Sequence, residues 1–150
     1  MVNQLKQDIA NFFYFSLLNE GVAVEAASKT FSELHRQINV KPEDSVQIIE
    51  KSKVIHECSI SFKKYFKRAK FGSGVNLEAG WQFNSNVDQG LWRHFVRDAD
   101  EDEYTAVIWS SILRYPDEDI AKGLGVTVGT VRHRTGRGLR KLGSMWGVQG

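Results

Sequence analysis

This chain has little of what staples or anchors a protein. Its single cysteine, Cys58, excludes an internal disulfide and a cysteine-rich zinc site. His35, His56, His94 and His133 are scattered without ligand spacing, so no metal ion is expected. No apolar run reaches the roughly eighteen residues of a membrane-spanning helix. The apolar patch near Phe12 is interrupted by acids and has no small-residue cleavage site, so no signal peptide is expected. A reducing cytoplasm is the expected compartment. A glycine loop preceding a lysine, which would cradle phosphate, is missing too. Cys58 lies on an apolar stripe and reads as core rather than nucleophile. Neither enzyme chemistry nor a cofactor is expected. Two prolines in 150 residues and scarce strand-like alternation point to an all-α protein.

What is present begins at the C-terminal end. Asp119 to Leu142 reads DIAKGLGVTVGTVRHRTGRGLRKL, two helices joined by a tight turn. Ala121 sits where the helices must approach closely. Gly125 can supply a positive φ without steric cost. Thr127 can cap the second helix. Ile120, Leu124, Val126 and Val131 form a small apolar cluster between them. The second helix is basic: Arg132, Arg134, Arg137, Arg140 and Lys141 follow with no acid from residue 120 to the end. A helix-turn-helix with a basic second helix suits the major groove of DNA. The alternative is a plain helical hairpin with a solvated basic face.

Charge is distributed unevenly. Residues 1–70 carry 11 basic and 8 acidic side chains, residues 71–115 carry 3 and 7, and residues 116–150 carry 6 and 3. Two basic ends flanking an acidic middle suit two nucleic-acid-facing modules joined by a segment that avoids nucleic acid.

Apolar spacing predicts a helix over residues 3–18 on Leu5, Ile9, Phe12, Phe13 and Leu17. Ala23, Ala26, Ala27, Thr30, Phe31, Leu34 and Ile38 mark a second. A third and longer one opens at Glu43-Asp44 and carries Ile48, Ile49, Ile55, Cys58, Phe62, Tyr65, Phe66 and Ala69 on one stripe. Residues 71–98 are rich in Gly, Ser and Asn and read as a linker, with a helical turn over Leu91–Val96. Trp81, Phe83, Trp92 and Phe95 argue for docking of that segment on this protein or a partner. Asp98 to Glu103 lead into a helix with Tyr104, Val107, Ile108, Ser111 and Ile112; dipole compensation and solvation account for these acids better than an acidic contact surface does. The expected organisation is a three-helix bundle over 1–70, a linker over 71–98 and a helix-turn-helix domain over 99–150.

The order of these parts resembles the short bacterial RNA polymerase sigma factors of the extracytoplasmic-function group. Val128-Gly129-Thr130-Val131 with Arg132 and Arg134 resembles the recognition helix of their fourth conserved region. Glu118-Asp119-Ile120-Ala121 and Leu124-Gly125-Val126 resemble its scaffold helix, and Leu139-Arg140-Lys141-Leu142 its end. VAVEAASKTFSELH, from Val22 to His35, is similar to the second-region helix that grips the polymerase clamp, through Ala23, Glu25, Phe31 and Leu34. Val22, Ser28 and Lys29 depart from that pattern. Lys63-Lys64-Tyr65-Phe66-Lys67-Arg68 resembles the basic-aromatic helix end that meets the melted promoter element.

The resemblance implies a transcription initiation factor whose partners are core RNA polymerase and promoter DNA, with an anti-sigma protein as a regulator by family analogy. It implies a chain that is monomeric when free and does not touch the membrane. Polymerase contacts fall on Glu25, Ser28, Phe31 and Leu34. Melted-promoter contacts fall on Lys63, Lys64, Tyr65, Lys67 and Arg68. On duplex DNA, Thr127, Arg137, Arg140 and Lys141 face phosphates, while Val128, Gly129, Arg132 and His133 lie where base edges are read, with Thr130 and Arg134 beside them. Arg132 suits a guanine or a phosphate equally. Gly136 and Gly138 each weaken a helix by about 1 kcal/mol relative to alanine, so the recognition helix is expected to fray or kink when free. Were residues 128–142 one helix, alanine at either position would stabilise it. Two rival functions stay open: a free-standing helix-turn-helix regulator, and a sigma-like module that binds a protein partner without starting transcription.

Overall fold

A computed structural model describes residues 2–38, 49–71 and 89–147. All its regular elements among these residues are helices: α1 (Val2–Leu17), α2 (Glu20–Ile38), α3 (Lys51–Phe71), α4 (Gln89–Asp98), α5 (Glu101–Val107), α6 (Asp117–Leu124) and α7 (Val128–Gly147). A wide π-turn, Ile108–Ile112, continues α5. None of the helices among the described residues is long and apolar enough to cross a membrane. The expected start of the third helix at Glu43-Asp44, with Ile48, and Trp81 and Phe83, lie outside the described residues; Ile49, expected within that helix, lies ahead of it, since α3 begins at Lys51.

The spacing of apolar residues accounts for the first three helices. Ile9, Phe12, Phe13 and Leu17 of α1 are buried, as are Ala23, Ala26 and Leu34 of α2 and Val54, Ile55, Cys58, Phe62, Tyr65 and Ala69 of α3. At the corner, Leu18 takes a positive φ of 51°. Asn19 Oδ1 then accepts the Val22 N–H at 3.1 Å, satisfying a free donor at the start of α2. Thr30 Oγ1 bonds Ser61 Oγ at 2.7 Å across α2 and α3. Burial pushes the Cys58 thiol well above its ordinary pKa, with smaller contributions from the Glu57 and Asp8 charges, so it is protonated and inert.

Burial in α1 is continuous from Phe12 to Leu17, which one apolar stripe cannot produce. Part of the cause is α4, whose Trp92 meets the Phe15 ring edge-on with centroids 5.5 Å apart. Trp92 donates its indole N–H to the Phe15 carbonyl at 2.9 Å, and Leu91, Trp92 and Phe95 are buried. Residues 89–98, expected as linker, are therefore a docked amphipathic helix. Their apolar positions 91, 92 and 95 carry the signal, which the Gly- and Asn-rich run before them obscures.

The C-terminal helices close the same core. Phe12 of α1 stacks on Trp109 of the π-turn, with ring centroids 4.5 Å apart. The π-turn ends the helix: Leu113 N–H bonds Ile108 O and Tyr115 N–H bonds Trp109 O, both at 2.8 Å. Arg114 follows at φ +60°, and Tyr115 turns inward so that its hydroxyl donates to Asp8 Oδ2 at 2.9 Å. Burial first, then the Asp8 carboxylate, raise the Tyr115 pKa and keep the phenol protonated. One apolar cluster thus runs from Ile9 and Phe62 to Ile120 and Val131.

α6 lies directly on α3. A Cβ on Gly123 would stand 2.6 Å from the Ser52 carbonyl oxygen and 2.7 Å from Ile55 Cβ, so only glycine allows this approach. His56 Nδ1 reaches the Gly123 carbonyl oxygen at 3.3 Å beside it.

Candidate nucleic-acid interface

The turn between α6 and α7 is built as its residue types require. Pro116 takes φ −62° and ψ 144° at the N-cap of α6, and three acids, Asp117, Glu118 and Asp119, occupy the positive end of its dipole. Gly125 ends the helix at φ +70°, and the Val126 N–H bonds the Ala121 carbonyl at 3.0 Å. Thr127 Oγ1 accepts the Thr130 N–H at 3.1 Å and opens α7. Ile120 and Val131 are fully buried between the two helices, Ala121 is 5% exposed, and Leu124 and Val126 pack at their edge. Gly125→Ala is expected to lower stability by about 1–2 kcal/mol, the cost of a left-handed conformation at a residue with Cβ, read from urea denaturation.

α7 has two faces. Val131, Thr135 and Gly138 point inward, and Leu142 is half-buried. Gly129, Arg132, His133 and Arg140 are exposed. Val128, Thr130 and Arg134 sit at the margin, with Thr127 exposed just ahead. The front of the helix and its outward stripe therefore carry most of the residues expected at DNA.

Several basic residues of α7 have carboxylate partners within the fold. Glu103 is 4% exposed, yet Lys141 Nζ reaches its Oε1 at 2.6 Å and Arg137 Nε its Oε2 at 3.0 Å. The Asp100 N–H also donates to Oε1 at 3.0 Å. Burial pushes the Glu103 carboxyl up, but the Lys141 hydrogen bond, the Asp100 N–H and the two cationic charges outweigh it. The net result holds its pKa below the usual carboxylate value. Arg134 lies 3.6 Å from Asp102, and Arg132 Nε 3.3 Å from Asp117 Oδ2. Arg137 and Lys141, expected at phosphates, thus brace α7 against α5. Arg140 and His133 have no such partner among the described residues.

Glu103 is the residue that sequence reasoning passed over. Dipole compensation and solvation are the plain expectation for its acid run, yet Asp100 and Glu103 have the N-cap and N3 spacing of a capping box. That spacing marks Glu103 as facing back into the fold.

Gly136 and Gly138 prove unlike each other. A Cβ on Gly136 would meet nothing within 4 Å. One on Gly138 would lie 2.6 Å from Val107 Cγ2 and 3.1 Å from the Glu103 carbonyl oxygen. Gly138 permits close packing of α7 on α5, and the helix runs through both glycines without a break.

The residues expected at the melted promoter divide. Lys63, Lys64, Lys67 and Arg68 are exposed on α3, and Arg68 pairs with Glu25 of α2 at 2.8 Å. Tyr65 is 3% exposed and belongs to the core rather than to a stacking surface. Of the expected polymerase contacts, Ser28 is exposed, while Glu25 is engaged by Arg68. Phe31 is half-buried, with Lys6 Nζ 4.9 Å from its ring centre. Leu34 is 1% exposed, so it packs the bundle and cannot meet a partner. Its apolar type at a core-facing position of α2 explains the reassignment.

Among the described residues, no group of three His, Cys, Asp or Glu could hold a metal ion. A scan of protein-family models and searches of curated proteins and of solved structures found no match to this chain.

Proposed function

We propose that this chain binds duplex DNA through α7 and acts as a sigma-like transcription initiation factor, recruiting core RNA polymerase to promoters. The observation that carries the DNA reading is the capped, outward-facing start of α7. Thr127, Gly129, Arg132 and His133 stand on the solvent side of a helix whose opposite side is fixed by Val131 and Gly138. Such a rigid helix-turn-helix offers base-reading side chains on its first turns and phosphate-binding ones around them. Core polymerase would engage the α2 face around exposed Ser28, and the lysines of α3 would meet promoter DNA.

A single helix-turn-helix carries few contacts. Alone, the chain is expected to bind duplex DNA weakly, with affinities near the nonspecific range of about 10⁻⁴–10⁻⁶ M and a base preference that gives no tight footprint. Tethering to polymerase raises the effective concentration of the DNA-reading helix. Mixing the purified chain with core polymerase is expected to give a stable complex and promoter-directed transcription. Ser28→Glu, on an exposed face, should weaken that complex by about tenfold, or 1.4 kcal/mol, and leave duplex binding unchanged.

A second reading is a free-standing DNA-binding regulator. It is favoured by the packing of α6 on α3 at Gly123, which joins the DNA-facing helices to the first three rather than leaving them as an independent arm. A nanomolar dimer on a two-fold symmetric site, without polymerase association, would establish that reading instead.

A further inference from the structure

The sequence left Arg132 with two roles, guanine reader or phosphate contact, and its surroundings distinguish them. Its side chain is 68% exposed at the front of α7, and its Nε donates to Asp117 Oδ2 at 3.3 Å. Asp117 is the first residue of α6, directly after the extended Pro116, and only 29% of its side chain is exposed. Its carboxylate is carried on a short, half-buried side chain at the start of that helix.

Two chemical consequences follow. A guanidinium held at Nε presents its two terminal nitrogens outward as a fork. That is the edge that pairs with O6 and N7 of guanine in the major groove. The carboxylate also sets an anion beside Arg132, so a phosphate approaching that arginine meets the Asp117 charge as well. Arg140 differs: it is exposed and has no carboxylate partner among the described residues. Gly129, one turn before Arg132, adds no side chain; its Cβ would meet only Thr127 Oγ1, at 3.8 Å. The duplex therefore has room to approach.

We infer that Asp117 is a positioning residue that makes Arg132 a reader of guanine rather than a phosphate contact. This inference rests on the DNA-binding reading above and names the base that site selects. Asp117 acts through Arg132 and touches no nucleotide itself. Its removal has an unusual signature. Freed from its carboxylate, Arg132 becomes an ordinary mobile cation, so discrimination falls while affinity for all sequences rises.

The test uses the full chain and a duplex enriched from a random library, with each base substituted in turn and binding measured at several salt concentrations. For the parent chain, one position should require guanine. Arg132→Ala is expected to flatten that preference by about tenfold or more and leave the salt slope nearly unchanged. Arg140→Ala should keep the base ratios and lower the slope by about one. Asp117→Ala should erase the guanine preference, strengthen binding to every duplex and steepen the slope by about one. Asp117→Asn keeps an acceptor for Nε without the charge; it should retain part of the preference while the slope steepens. Circular dichroism melting confirms that each variant is folded. Unchanged base ratios in Asp117→Ala, alongside the expected Arg140→Ala slope, would overturn the positioning role and leave DNA binding standing. Failure of the parent chain to enrich any duplex, with no effect of Arg140→Ala, would overturn both.

Discussion

Gly123→Ala and Gly138→Ala should each lower stability by about 2–3 kcal/mol, whereas Gly136→Ala should raise it by about 0.5–1 kcal/mol. All three sit in helices, where alanine is the better helix former by about 1 kcal/mol. Propensity alone therefore favours every one of these changes. Space reverses two of them. At Gly123 the new methyl would lie 2.6 Å from a backbone oxygen and 2.7 Å from the Cβ of Ile55, atoms that cannot swing aside. At Gly138 the Val107 methyl and the Glu103 backbone stand in the way. Relief would require α6 to move off α3, or α7 off α5. At Gly136 nothing opposes the gain. Urea denaturation of the three variants separates the outcomes by sign. Stabilisation by Gly138→Ala would show that α7 does not lie against α5 as described.

Replacing Glu103 with glutamine should cost about 2–3 kcal/mol near pH 7, because one buried carboxylate serves Lys141, Arg137 and the Asp100 N–H together. The loss should fall short of that for a fully buried pair. Arg137 and Lys141 are 50% and 36% exposed, so both cations can turn to water. The sign of the pH dependence follows from the lowered pKa of Glu103. Its stabilisation is fully present above the unfolded value of about 4.3 and is lost as pH falls through the lower folded value. Glutamine mimics the protonated acid, so the stabilities of parent and variant should converge in acid. A difference that stays constant from about pH 7 to pH 3 would show that Glu103 stabilises α7 through shape rather than charge.

The helices were legible wherever one periodic signal dominated. Ile9, Phe12 and Phe13, or Phe62, Tyr65 and Ala69, can pack only as one face of a helix, and the structure buries them so. The turn at Gly125 and the cap at Thr127 were legible because each position admits few residue types. Tertiary partners were less so. Nothing local to Leu34 or Tyr65 tells a core side chain from a contact surface, since both uses favour an apolar or aromatic residue. Gly138 reads as a helix weakness until Val107 is known to face it. Arg137 and Lys141 look like free cations until Glu103 appears beneath them, 38 residues from Lys141 in the chain. The outward face of α7 was legible in outline; which of its cations pair with carboxylates and which do not came from geometry.

The bond between Tyr115 and Asp8 joins residues 107 apart in the chain. That separation has a consequence for synthesis. A ribosome adding about 5–20 residues per second needs roughly 5–20 seconds to cover it. For nearly all of that interval the first helices exist without Trp109, and throughout it without Ile120 or Val131, residues that complete their core. The face of Phe12 that stacks on Trp109 stays uncovered until that residue is made. The nascent protein must spend those seconds sheltered by a chaperone or at risk of sticking to its neighbours.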